Sequence, residues 1–199
     1  MRILLVFCHP APESFLRTIL EDLTPRLERD GHAVETIDLY GEGFDPALNV
    51  EAWRAHRRNE GYSNGLSEHV TALREADGLI LIYPTWWYGL PAMLKGWIDR
   101  VWRPGVAFAM QDGRFRTRHL ERLKRFAVIT TYGSPGWFIE RIVGDPARRQ
   151  LMRGLALQFA RGAKTRWAPI YGADTRSRAD LARARGKAVE RVARLFTPG

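Results

Sequence analysis

The chain has a single cysteine, Cys8, which excludes an internal disulfide framework and a cysteine metal cluster and makes a reducing cytoplasm the expected compartment. Cys8 closes the first apolar run and reads as a small buried apolar residue, not a nucleophile. No apolar run approaches bilayer-spanning length, so no membrane span is expected. The opening MRILLVFCH is too short an apolar stretch for a signal peptide, and no small-residue cleavage site follows it. His9, His32, His56, His69 and His119 have no metal-ligand spacing, so no metal is expected; His32, just before a strand, is expected to face solvent. Acidic residues are scarce: 22 stand against 31 basic ones, for a formal charge of +9, with much of the excess beyond Arg148. A basic protein invites a nucleic-acid partner, but no RNP-type aromatic motif, KH-type loop, zinc-finger spacing or helix-turn-helix is present. The charge therefore reads as an Arg-rich solvated surface without nucleic acid, compatible with attraction of phosphate-bearing cofactors.

What the chain does have is a core: 45% of its 199 residues are apolar, enough for a single domain over 1–199. The segment from Gly78 to Trp102 carries the most information. Leu79-Ile80-Leu81-Ile82-Tyr83 is continuous rather than alternating, as in a central parallel strand covered on both faces, and Pro84 ends it by removing a ladder donor. Trp86, Trp87 and Tyr88 then fall at the carboxyl edge of the sheet, where α/β proteins bind ligands, and offer flat apolar surface to a planar heteroaromatic ring such as a flavin. Packing in a core or an interface is the alternative use of three such aromatics. Gly89 and Pro91 bracket a tight turn, and Met93, Leu94, Trp97, Ile98, Val101 and Trp102 then give one apolar helix face, with Lys95 and Asp99 spaced to pair.

Strands are expected at Arg2 to Phe7, Ala33 to Leu39, Leu79 to Tyr83, Arg125 to Thr131 and Thr165 to Ile170. Helices are expected from Phe15 to Arg29, Ser67 to Ala76, Met93 to Trp102, Pro146 to Phe159 after an Asp145 cap, and Arg178 to Phe196 after a Ser177 cap with Asp180 three residues on. Tyr40 to Leu66, apart from a turn of helix near Ala52 to Arg57, and Gly105 to Arg118 read as irregular connections. Five strands alternating with helices specify a three-layer α/β domain, and the flavodoxin-like order 2-1-3-4-5 for a mostly parallel sheet with helices on both faces is the natural choice. The loops starting at His9, Pro84 and Thr130 then converge on one cleft.

With those loops in place the chain resembles the NAD(P)H:quinone oxidoreductases of the DT-diaphorase type, with which bacterial quinone reductases and ancillary subunits of potassium efflux systems share the fold. The resemblance is carried by His9 with Ser14-Phe15, by Pro84 through Arg100 with LPAMLKGWIDR, and by Ile129-Thr130-Thr131 with Gly133. It implies a homodimer with non-covalent flavin, FAD or alternatively FMN, and NADPH or NADH as donor to a quinone-like acceptor in ping-pong turns. It further implies that His9, Ser14, Phe15 and Leu16 cradle the phosphate end, that Pro84, Thr85, Trp86, Trp87 and Tyr88 line the isoalloxazine, and that Thr130, Thr131, Tyr132 and Gly133 hold its pyrimidine side.

The sequence departs from the animal enzymes where their active-site tyrosine and histidine fall, on Phe138 and Val143, which exchange no proton. Tyr132, at a position usually glycine, and Tyr88 are then the candidate catalytic acids, with solvent as the alternative proton source. Trp53 and Tyr62 in the long connection read as surface packing, and the resemblance implies as the alternative that they cover a partner subunit's cleft. A regulatory subunit docked on a potassium efflux transporter and a flavodoxin-like electron carrier are the competing functions; the basic charge speaks against the carrier.

Overall fold

The computed structural model describes residues 1–58, 66–111, 114–117 and 120–197; Tyr62 and His119 lie outside them. Five parallel strands build the main sheet: β1 (Arg2–Phe7), β2 (Ala33–Asp38), β3 (Gly78–Pro84), β6 (Arg125–Thr131) and β7 (Lys164–Ile170). Their order is β2-β1-β3-β6-β7, which is the expected 2-1-3-4-5 once a separate hairpin is set aside. That hairpin, β4 (Phe108–Gln111) with β5 (Arg114–Thr117), occupies the stretch expected to be an irregular loop. Its two strands are only four residues each, too short to show alternation against a run of basic residues.

Alternation in the strands sorts the core into two layers. Ile3, Leu5 and Phe7 of β1 face α1 (Phe15–Arg29) and α6 (Arg178–Phe196), while Leu4, Val6 and Cys8 face α3 (Leu66–Glu75) and α4 (Ala92–Val101). β3 is buried along its whole length, as its continuous apolar run requires. The caps follow the sequence signals: Ser14 and Ser177 accept from the amides of Arg17 and Asp180, and Gly31 takes φ 82° just past α1. The remaining α-helices are α2 (Val50–Arg58), inside the long connection, and the short α5 (Pro146–Arg149).

Two expectations are corrected. The helix read from Pro146 to Phe159 is α-helical only over Pro146–Arg149; it widens to a π-turn at Gln150–Gly154 and tightens to a 3₁₀ turn at Leu155–Gln158. Gly154, a weak helix former, ends the wide turn, and the tight last turn presents the Gln158 carbonyl to the Leu120 amide at 3.2 Å.

His32 does not face solvent. It is 8% exposed, with its ring edge-on to Phe196 at 6.4 Å and its Nε2 buried without a partner. Burial, with the nearby N-terminal amine, pushes its pKa below the ordinary histidine value. The unfolded chain therefore binds the proton more readily, so stability contributed here is present above the unfolded histidine pKa of about 6.5 and lost as pH falls through it. The melting temperature should decline from pH 7 towards pH 5 more steeply in the parent than in His32→Gln, as read by calorimetry at matched ionic strength.

Candidate functional site

The carboxyl ends of β1, β3, β6 and β7 point the same way, so the loops after them meet at one edge, beside the switch point between β1 and β3. A pocket of about 280 Å³ opens there. The β1 loop and the start of α1 contribute His9, Phe15 and Leu16; the β3 loop contributes Pro84, Thr85 and Trp86; β6 and its loop contribute Thr131, Tyr132 and Gly133. A fourth group, Ala173, Asp174 and Leu181, comes from the β7 loop and the start of α6. The sequence reading missed this wall, although Gly172 (φ 62°) and the Ser177 cap mark a strand-to-helix turn there.

Nine of the predicted residues thus meet in the pocket, and four stand outside its lining. Ser14 caps α1 through the Arg17 amide. Thr130 lies fully buried beneath the cleft, its hydroxyl 2.8 Å from that of Thr85. Trp87 is 95% exposed and turned to solvent, and Tyr88 is half-buried against Phe138, with ring centroids 6.3 Å apart.

The tight turn is not bracketed by Gly89 and Pro91 but centred on Trp87 and Tyr88, with φ of 49° and 62°. Trp86 and Gly89 bridge it by hydrogen bonds of 2.9 and 3.3 Å, the pattern of a type I′ turn, where Asn-Gly is the favoured pair. Two bulky residues in the left-handed region are strain of about 1–3 kcal/mol each, of the kind stored at functional sites. The double variant Trp87→Asn, Tyr88→Gly should raise the melting temperature by several degrees, and calorimetry reads it; an unchanged or lower value would remove the strain argument.

Hydrogen bonds fix the chemistry of the walls. His9 Nδ1 accepts from the Ala11 amide at 3.0 Å, so in the neutral ring the proton sits on Nε2, a donor for the pocket. Tyr132 is 3% exposed and its hydroxyl donates to Asp145 Oδ1 at 2.7 Å. Burial and the bonded carboxylate both push the Tyr132 pKa far up, so this phenol holds its proton tightly. Burial likewise pushes the Cys8 thiol up to about 12, in keeping with an inert core residue. Among the described residues no cluster of His, Cys, Asp and Glu could hold a metal, and no helix is long and apolar enough to cross a membrane.

A parallel sheet in this order, with a pocket at the switch point walled by aromatic, hydroxyl and glycine loops, defines an α/β protein of the flavodoxin-like class. The chain belongs to the family described as having a flavodoxin-like fold, whose model matches residues 1–193. It is 36% identical over 110 residues to a protein of Escherichia coli described as an uncharacterized NAD(P)H oxidoreductase, covering 54% of this chain and 55% of that one. It is 32% identical over 124 residues to the ribosyldihydronicotinamide dehydrogenase [quinone] of Rattus norvegicus, covering 54% and 53%. The chain thus spans just over half the length of these curated relatives. Among solved structures it is similar to an NAD(P)H:quinone oxidoreductase from Methanothermobacter marburgensis, with TM-score 0.81, 25% identity and coverage of 100% and 98%. An FMN-dependent NADH-azoreductase from Bacillus anthracis in complex with FMN shares the fold, with TM-score 0.75, 15% identity and coverage of 99% of each chain.

Proposed function

We propose that the chain is an NAD(P)H-dependent oxidoreductase that passes two electrons through a bound flavin to quinones or related aromatic acceptors. The observation that carries this reading is the pocket at the β1/β3 switch point, which gathers nine residues of the three predicted loops in a member of a family with quinone-reducing relatives. The residues present fit an isoalloxazine. The pocket is about the size of a tricyclic ring, and its lining includes the aromatic Trp86 and the imidazole of His9. At Gly133 a side chain would press on Asp174, since an added Cβ would sit 2.4 Å from its Oδ2, so glycine keeps this wall open. The first turn of the 15-residue α1, at Phe15 and Leu16, offers amide donors to a phosphate.

FAD rather than FMN is favoured by the space beyond. A second cavity of about 350 Å³ between β7 and α6 is lined by Arg176, Arg183, Lys187 and Arg191. It adjoins the first along α6, where Leu181 borders one and Asp180 the other, so a pyrophosphate and adenosine have a basic place to lie. A homodimer in the cytoplasm completes the proposal: Trp53, Trp87 and Trp137 are 47%, 95% and 62% exposed, large apolar rings that a second copy would cover.

Bound in this cleft, the flavin supplies a carrier for an electron pair, and donor and acceptor use the same slot in turn, which makes the kinetics ping-pong. The protein's share is to stack, orient and exclude water. A quinone that takes up a hydride also needs a proton. Solvent, or Tyr88, half-buried in the turn after β3, is its source, because the Tyr132 hydroxyl is held by Asp145. Tyr132→Phe should leave turnover within about threefold while costing about 1–3 kcal/mol of stability, as Asp145 loses its hydroxyl donor and keeps only the Arg148 amide. Stopped-flow rates with a denaturant titration check both; a large loss of turnover at unchanged stability would make Tyr132 the acid.

The function itself is tested by an anaerobic visible spectrum before and after NADPH. Flavin bands that bleach and return on addition of a quinone support the reading. A protein that takes up no flavin, or whose flavin stays oxidised with either nucleotide, sinks it.

A further inference from the structure

Behind the Tyr132–Asp145 hydrogen bond lies another cavity, of about 430 Å³, for which the flavin cleft has no use. We propose that it takes the 2′-phosphorylated ribose of the electron donor, making NADPH the preferred reductant; this rests on the reductase reading and deepens it. Arg148, Arg149 and Arg153 stand in its wall beside Glu140 and Asp145.

The charges are placed for a phosphorylated sugar. Arg2, Arg17, Arg26, Arg100, Arg122, Arg183, Arg185 and Arg194 each meet a carboxylate; Arg148, Arg149 and Arg153 meet none among the described residues, and unlike other unpaired arginines such as Arg141 they gather in one cavity wall. Three uncommitted guanidinium groups in one wall are strong donors to a phosphate monoester. Two carboxylates share that wall, which would weaken the binding of a bare anion. Phosphorylation leaves that ribose one free hydroxyl, at the 3′ position, and a carboxylate beside the arginines offers it an acceptor next to the phosphate. Glu140 gives one oxygen to the Tyr171 hydroxyl at 2.9 Å and keeps the other free. Asp145 is 4% exposed, and its Oδ2 has no hydrogen-bond partner.

The wall is also shaped around an arginine. Gly144 and Asp145 are consecutive left-handed residues, with φ of 79° and 46°. An added Cβ on Gly144 would lie 3.1 Å from Arg149 Nη2, so the glycine leaves room for that guanidinium. Finally, Asp145 borders this cavity while its partner Tyr132 borders the flavin cleft, so one hydrogen-bonded pair separates the two.

The test needs no turnover. Isothermal titration of the purified protein with 2′,5′-ADP and with 5′-ADP should give at least about tenfold tighter binding of the former, the loss expected from one or two charge-assisted hydrogen bonds. Arg149→Ala with Arg153→Ala should abolish that preference and raise the KM for NADPH about 10- to 100-fold, leaving that for NADH unchanged. Arg153→Lys, a milder change, should retain part of the preference. Equal binding of the two nucleotides by the parent, or a preference that survives the double substitution, overturns the proposal. Reduction of quinone at equal efficiency with NADH and NADPH overturns it and leaves the reductase reading standing. Arginine-dependent binding of 2′,5′-ADP by a protein that neither nucleotide reduces supports the site and sinks the reductase reading.

Discussion

Replacing Trp97 by alanine should lower stability by about 3–5 kcal/mol, the cost of emptying a large aromatic site in a close-packed core. For a domain of this size that is a fall in melting temperature of about 6–20 °C, at about 2–4 °C per kcal/mol. Trp97 is fully buried and stands edge-on to Trp102, with ring centroids 5.3 Å apart. Its indole N–H donates to His69 Nδ1 at 3.2 Å. That bond fixes the His69 tautomer, so Nε2 carries the hydrogen and donates to Glu42 at 3.0 Å. One tryptophan on α4 thereby connects α3 to the segment after β2. Trp97→Phe separates the two contributions: it keeps most of the volume and removes the donor, so it should cost about 1–3 kcal/mol, less than alanine. Equal losses for the two variants would mean that the hydrogen bond, not the packing, dominates.

Gly96→Ala should also destabilise, by about 1–3 kcal/mol or about 2–12 °C, and the sign is the point of the experiment. Helix propensity alone predicts a gain of about 0.8–1 kcal/mol for alanine over glycine within α4. The structure reverses that expectation. A Cβ on Gly96 would sit 2.3 Å from the Pro46 carbonyl oxygen and 2.6 Å from its Cα, contacts with backbone that no side-chain rotation relieves. The segment at Pro46 cannot back away cheaply. Arg100, one turn further along α4 and 8% exposed, donates to the Asp45 carbonyl and stacks over Phe44 at 5.3 Å. Differential scanning calorimetry decides the matter: a rise in melting temperature would show that the connection yields and that propensity wins.

The same neighbourhood shows how far local signals reach. That Gly96 lies on a helix is readable from the spacing of Met93, Leu94, Trp97 and Ile98; that it faces the Pro46 backbone is not, because the two are 50 residues apart in the chain. The β1, β3 and β6 loops were legible as converging on one cleft because each follows a buried strand at the same edge of the sheet. The β7 loop was not, because Ala173, Asp174 and Leu181 are ordinary until the sheet order sets them opposite Gly133. Trp87 and Tyr88 were legible as aromatic surface, but their left-handed backbone was not, since nothing local favours φ above zero for such residues.

The sequence by itself determined the parallel five-stranded architecture, its two-sided core and the three loops at its carboxyl edge, because periodicity, caps and chain breaks act over a few residues. Tertiary structure alone decided that Tyr132 hands its hydrogen bond to Asp145 and that His32 is buried under Phe196. It also decided that the arginines of α5 and of the π-turn after it gather in one cavity wall beside Asp145. Those outcomes depend on which groups from distant segments fill the same volume and exclude the same water, and no local pattern carries that information.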